Sequence, residues 1–205
     1  MKAIDALTRL MELRAPAFTT NDAAAALQLT RSHASKTLAR LAAARQALRL
    51  RRGVWGFPGK IDRLMLPALL TAPAPCYISL QSALYLHGII SQIPQRVYAV
   101  SAARTRLFRT PLGAVSIHHV KPSFFRGFEV NARTGIAMAT PEKALVDFLY
   151  LSPGRSRLFT AVPELKLSGA FRRSLALKYT RLIDSPRRRK VVVERLKEIL
   201  KESVL

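Results

Sequence analysis

The residues with the clearest capacity for recognition chemistry lie between Arg31 and Arg40. Ser32, Ser35 and Lys36 bring short hydroxyls and one ammonium group, and Arg31 and Arg40 add guanidinium groups. On a helical wheel at about 100° per residue, Ser32, Lys36, Ala39 and Ala43 share one side, flanked by His33, Ser35 and Arg40. Ala34, Leu38 and Leu41 fall on the opposite stripe. A helix that enters a DNA major groove needs this division, because small side chains permit close approach and short donors reach base edges. Ser32, Ser35 and Lys36 are therefore expected at base edges and Arg40 at phosphate, with Arg31 also among the DNA-binding residues, and the helix N-terminus adds partial positive charge where phosphates would sit. The bland alternative for the same pattern is a solvated helix face. A few residues later, Arg49, Arg51 and Arg52 cluster beside Gly53, and guanidinium groups at a hairpin tip suit phosphate or minor-groove contact. His33 reads as a neutral surface residue, and Trp55 as a residue packing the hairpin onto the core.

Two further groups of basic residues admit several readings. Arg104, Arg106 and Arg109 surround Phe108 between two expected strands. They suit a second nucleic-acid surface, a dock for an acidic partner, or a plain solvated loop. Arg187, Arg188, Arg189 and Lys190 open the final helix, where positive charge slightly opposes the helix dipole. That run reads as a solvated first turn, an exposed tail, or a clamp on nucleic acid or an acidic protein.

Catalytic patterns are sparse. The sequence has no Gly-rich phosphate loop, no Gly-x-Ser-x-Gly elbow and no His-Glu-x-x-His helix. His118 and His119 are neighbours on an expected strand, so their side chains point to opposite faces and cannot share a metal. The best enzymatic reading is a metal-dependent nuclease built on Glu164-Leu-Lys166 with Asp147 upstream, since such chemistry needs acids around a cation and a Lys to activate water. Glu164 follows Pro163 in a segment with little strand character, and the expectation is a binding protein without catalysis, metal or cofactor. Asp147 is instead a candidate partner for Lys143 at i, i+4.

These residues must be positioned by recognisable elements. Ile4, Leu7, Leu10 and Met11 have helical spacing before Pro16; Thr19, Thr20 and Asn21 offer caps to a short helix ending near Leu27; Thr30 caps a helix from about Arg31 to Arg45. Leu48–Arg51 and Val54–Phe57 around Arg52-Gly53 read as a hairpin. Three helices followed by a hairpin predict a winged helix-turn-helix over residues 1–59. Ile61 to Leu70 looks like a linker helix within 60–75. Residues 76–205 predict a mixed α+β domain. Its expected elements are a helix after Ser79, strands over Arg96–Ser101 and Gly113–Val120, and further extended segments at Phe128–Val130 and Gly135–Met138. Thr140-Pro141-Glu142 and Ser185-Pro186 then announce two helices. The fold class is α+β.

Composition agrees with a nucleic-acid partner. Thirty-four Lys and Arg stand against 12 Asp and Glu, a formal charge of +22 over 205 residues, and such an excess repels itself unless a polyanion lies nearby. The single Cys76 forms no intrachain disulfide and fits a reducing cytoplasm. The N-terminus lacks the continuous apolar core of a signal peptide. No stretch approaches the roughly 18 apolar residues of a membrane span, so no membrane partner is expected.

Four segments resemble the AbiEi antitoxins of type IV toxin–antitoxin systems. The first runs from Phe18-Thr-Thr-Asn-Asp-Ala-Ala to Leu50-Arg-Arg-Gly-Val-Trp55. The second is Tyr77-Ile-Ser-Leu-Gln-Ser-Ala-Leu-Tyr-Leu-His-Gly88 leading to Arg96-Val-Tyr-Ala-Val-Ser101. The third is Thr110-Pro-Leu-Gly-Ala-Val115, and the fourth is Ile136-Ala-Met-Ala-Thr-Pro-Glu-Lys-Ala-Leu-Val-Asp147. The likeness spans about residues 18 to 150 and fades beyond Leu151. It implies a transcriptional autorepressor that binds double-stranded DNA at repeats in its own promoter, through Arg31 to Arg40 and Arg51-Arg52. It further implies opposition to a nucleotidyltransferase-like toxin through the C-terminal part, without assigning residues to that role. The alternative is a stand-alone regulator whose second domain senses a ligand or oligomerises.

Overall fold

The computed structural model describes residues 3–151 and 165–202. It is a mixed α+β structure with two sheets and two hydrophobic cores.

The N-terminal core is organised by two helix starts. Helix α1 (Ala3–Met11) buries Ala6 and Leu10. Strand β1 (Ala17–Thr19) runs into α2 (Thr20–Leu27) through a reciprocal cap. The Thr19 hydroxyl accepts from Asp22 N at 3.1 Å, and the Asp22 carboxylate accepts from Thr19 N at 2.7 Å. Both bonds satisfy donors that a helix start leaves orphaned. The chain turns at Gln28, which takes a left-handed φ of 55°. Thr30 then caps α3 (Arg31–Ala43), accepting from His33 N. The strands β2 (Leu48–Arg51) and β3 (Val54–Gly56) form the expected hairpin around Gly53, whose φ of +78° suits a residue without Cβ. β1 adds a third strand in the order β1-β3-β2, all antiparallel. Trp55 is buried and its indole N–H donates to Thr20 Oγ1 at 3.0 Å, while Thr20 N donates to Gly53 O at 3.0 Å. These two bonds fix the hairpin to the first turn of α2.

A 3₁₀ turn (Arg63–Met65) and α4 (Leu66–Thr71) follow where one linker helix is expected. The second sheet has six strands: β4 (Cys76–Ile78), β5 (Val97–Ser101), β6 (Arg106–Thr110), β7 (Gly113–His119), β8 (Phe128–Val130) and β9 (Ala137–Ala139). Their order is β6-β7-β5-β4-β9-β8, with β5–β7 and β4–β9 parallel and the other pairs antiparallel. Helices α5 (Leu80–Leu86), α6 (Pro141–Leu151), α7 (Arg173–Thr180) and α8 (Pro186–Glu202) complete this part. α6 lies among α5, α7 and α8 and is buried over Glu142 to Leu149. α8 packs inward through Val192, Leu196, Ile199 and Leu200, as its spacing predicts. Leu50, Val54 and Ile61 belong to the core of the larger sheet, so the small sheet is joined to it by shared packing. Among the described residues no helix is long and apolar enough to cross a membrane.

Candidate nucleic-acid interface

Helix α3 separates its side chains as the wheel predicts. Ala34, Leu38 and Leu41 are buried, and Thr37 joins them, while Arg31, Ser32, His33, Ser35, Lys36, Ala39 and Arg40 are exposed. The buried stripe is held by α1, α2 and Trp55. The outer face is thus a rigid surface with small side chains and cationic groups, and its N-terminus carries no acidic residue in the first turn.

The three hairpin arginines divide in role. Arg52 is exposed at the turn beside Gly53. Arg49 is exposed on β2 with its guanidinium carbon 5.7 Å from the Trp55 ring centroid. Arg51 is half-buried: its Nη2 donates to Ala72 O at 3.3 Å, and its Nε is closed off from solvent without a partner. Strict alternation would put Arg49 and Arg51 on one face, but the β2–β3 register shifts between them, and Arg51 reaches the linker carbonyl of Ala72 and braces the hairpin against it.

The expected second basic surface is rearranged. Arg106 and Arg109 lie on strand β6 and not in a loop, while Arg104 precedes it; all three are exposed. The Arg-Leu-Phe-Arg-Thr run pairs with β7 from Arg106↔Ile117 to Thr110↔Gly113, and Gly113 turns the chain with φ +123°. The signal was there in Thr110-Pro-Leu-Gly, a tight connection between two short strands. Arg106 stacks its guanidinium over Phe108 at 4.8 Å. β6 lies alongside β2, so the edge strands of the two sheets, each carrying arginines, are neighbours.

The Arg187–Lys190 run is neither a free tail nor a simple solvated turn. Arg188 donates from Nε and Nη2 to Tyr150 O, at 3.0 and 2.6 Å, and stacks on the Tyr150 ring. Arg189 donates in the same two-pronged way to Ile183 O, at 2.9 and 2.6 Å. The last carbonyls of a helix lack intrahelical partners, and Arg188 covers one of these at the end of α6, while Arg189 covers a carbonyl in the connection between α7 and α8. Only Arg187 and Lys190 of the four are exposed.

Asp147 pairs with Lys143 as its spacing predicts, but wholly inside the molecule. Ser79 Oγ donates to Asp147 Oδ2 at 2.7 Å and Tyr77 OH at 3.0 Å; Lys143 Nζ sits 3.8 Å from the Phe124 ring centroid. Burial pushes the carboxyl up and the ammonium down from their ordinary values, each opposed by the other's charge. Two hydroxyl donors and an aromatic face favour the charged pair. Ser79, the residue before α5, therefore spends its hydroxyl on this network and makes no side-chain cap for that helix. With both carboxylate oxygens held by protein donors, Asp147 is not presented to a nuclease metal; Glu164 lies outside the described residues. Among the described residues no three His, Cys, Asp or Glu gather as a metal site. His118 is buried and His119 exposed, on opposite faces of β7 as expected.

Glu142, part of the Thr140-Pro141-Glu142 helix start, is 2% exposed there and does more than mark the beginning of α6. Its Oε1 accepts from Arg172 N at 3.0 Å, and Arg172 Nε lies at 3.4 Å. Burial would raise this carboxyl, but hydrogen bonds from the Arg172 and Glu142 backbone, Thr140 and the Arg172 side chain outweigh it and hold it below the usual range. Compared with known families and curated proteins, the chain matches no family model and no curated sequence.

Proposed function

We propose that this protein is a transcriptional repressor that binds double-stranded DNA through α3 and the β2–β3 hairpin. The first six elements follow the order helix, strand, helix, helix, strand, strand, which supports reading residues 1–59 as a winged helix-turn-helix. The carrying observation is the division of α3: a buried Ala34–Leu38–Leu41 stripe behind an exposed face of Ser32, Ser35, Lys36 and Arg40. Arg49 and Arg52 on the hairpin, with Arg106 and Arg109 alongside on β6, extend the cationic surface available to phosphates. The net charge of +22 suits a polyanionic partner. Gel shift against the DNA upstream of its own coding sequence tests the reading. Wild type should select that fragment over an unrelated duplex, and Lys36→Ala should reduce the preference, at about 1–3 kcal/mol per lost base contact. Equal affinity for both duplexes sinks the sequence-specific reading.

The resemblance to AbiEi antitoxins supports a narrower form, in which the operon is the protein's own and the C-terminal part opposes a nucleotidyltransferase-like toxin. That form expects a gene for such a partner beside this one, whose growth inhibition is relieved by co-expression. An adjacent gene without growth inhibition leaves the DNA-binding reading intact and removes the antitoxin role.

A further inference from the structure

The chain is overwhelmingly cationic, yet one concavity inverts that balance. A cleft of about 450 Å³ opens between the end of α5, the β8–β9 hairpin, the first turn of α6 and the start of α7. Its charged lining is Glu129 and Glu142 against Arg172, whereas the whole chain has 34 basic to 12 acidic residues. The remaining wall is largely apolar, with Ile136 and Met138 prominent. The size lies within the range of small-molecule sites, which pair apolar walls with a few placed polar groups.

Glu142 is the unusual member. Oε1 is anchored by Arg172, but Oε2 is buried without any hydrogen-bond donor. An ionised carboxylate with an orphan oxygen is costly in a closed setting. The cation opposite it is a weak fit: Arg172 Nε stands 3.4 Å away on a side chain that is 65% exposed. That guanidinium is free to swing outward into water and leave its place to another cation. His87 adds a second acceptor. Its Nε2 lies 2.8 Å from Ala139 O, and a carbonyl only accepts, so Nε2 donates there and Nδ1 is the acceptor of the neutral ring.

We propose that this cleft binds a small organic cation, an amine, amidine or guanidine joined to an apolar body, with its charged end on Glu142 and its body against Ile136 and Met138. A charge-assisted hydrogen bond to Glu142 replaces the loose Arg172 contact, and turning the carboxylate presents the oxygen that now lacks a donor. The site is separate from the duplex-binding face, and its occupancy is read without DNA.

Benzamidine serves as the probe, with neutral benzamide and anionic benzoate as isosteric controls, titrated into the full chain and followed by backbone amide NMR. Benzamidine should give saturable shifts at Ala137–Ala139 and Thr140–Lys143, and neither control should saturate there. Glu142→Gln should weaken binding at least tenfold. Because that variant touches a buried group, Ala170→Trp is the companion: Ala170 is an exposed residue on the cleft wall, so the indole blocks the cleft without touching Glu142. It should abolish the same shifts while preserving the remaining spectrum. Absence of saturable shifts in wild type overturns the proposal. So does equal saturation by benzamide, or unchanged affinity in both variants. Any of these results leaves the DNA-binding reading untouched, as a failed gel shift would leave this one.

Discussion

Lys143 and Asp147 separate the cost of breaking a buried charge pair from the worth of having one. Lys143→Met leaves a carboxylate enclosed with only hydroxyl donors, and should destabilise the fold by about 3–5 kcal/mol. Lys143→Met with Asp147→Leu removes both charges and should recover much of that loss, although the Ser79 and Tyr77 hydroxyls then lose their acceptor. Urea unfolding of both variants checks this; a double variant no better than the single would mean the pair is irreplaceable. His118 gives a separate residue-scale prediction. It is buried beside Tyr98 and shares a hydrogen bond with Ser116, and burial pushes its imidazole down to about 4. The unfolded chain takes up that proton near pH 6.5 and the folded chain only near 4. Between those values the unfolded state binds more protons, so stability falls as pH drops, by on the order of 3 kcal/mol at most. Glu142, held below the usual carboxylate range, contributes a later loss at lower pH. His118→Gln should flatten the first part of the acid limb and leave the second. A superimposable limb would show that His118 does not set it.

At the scale of elements, the β2–β3 hairpin has one arginine bonded into the structure and two exposed, which the proposed function assigns to DNA. Arg52→Ala should leave stability within about 0.5 kcal/mol, as surface changes do, and weaken DNA binding alike for all sequences. Arg51→Ala should mainly lower the melting temperature, because it frees Ala72 O and unbraces the hairpin from the linker. Calorimetry paired with gel shift checks the split; reversed effects would show that Arg51 reaches phosphate after all. The elements most legible in the sequence were those with local chemistry: Thr19 and Thr30 caps, the Arg52-Gly53 turn, Pro at the start of α6 and α8. Those that escaped are made by distant partners. β1 is three residues long and exists because β3 pairs with it. α7 has no acidic residue in its first turn and no side-chain cap. β6 looked like a loop because its arginines masked the pairing with β7. On α3 the periodicity gave both the buried and the exposed side correctly. On α6 it missed the burial of Lys143 and Asp147, because periodicity cannot show that Tyr77, Ser79 and Phe124 come to them from other parts of the chain. For the same reason Arg188 and Arg189 read as part of a solvated first turn, an exposed tail or a clamp, when each serves a carbonyl brought to it by folding.

For the whole molecule, salt should act in two opposite directions. A charge of +22 repels itself across a small fold, so added salt, by screening exposed charges, should raise the melting temperature of the free protein. The same salt should weaken the complex, because each neutralised phosphate had released a counterion. With about six phosphate contacts, log affinity should fall against log salt with a slope near about −5. Arg52→Ala should make that slope shallower by roughly one phosphate's share. The exposed arginines of β6 extend the test. If the duplex runs along the joined β2–β6 edge, Arg106→Ala with Arg109→Ala should flatten the slope further; if it contacts α3 and the hairpin alone, that pair should leave the slope unchanged. Melting curves and gel shifts across one salt series decide between these. A melting temperature indifferent to salt would mean that the positive charge is already dispersed by the fold. It would then no longer support a polyanionic partner, leaving the outer face of α3 to carry the DNA-binding reading.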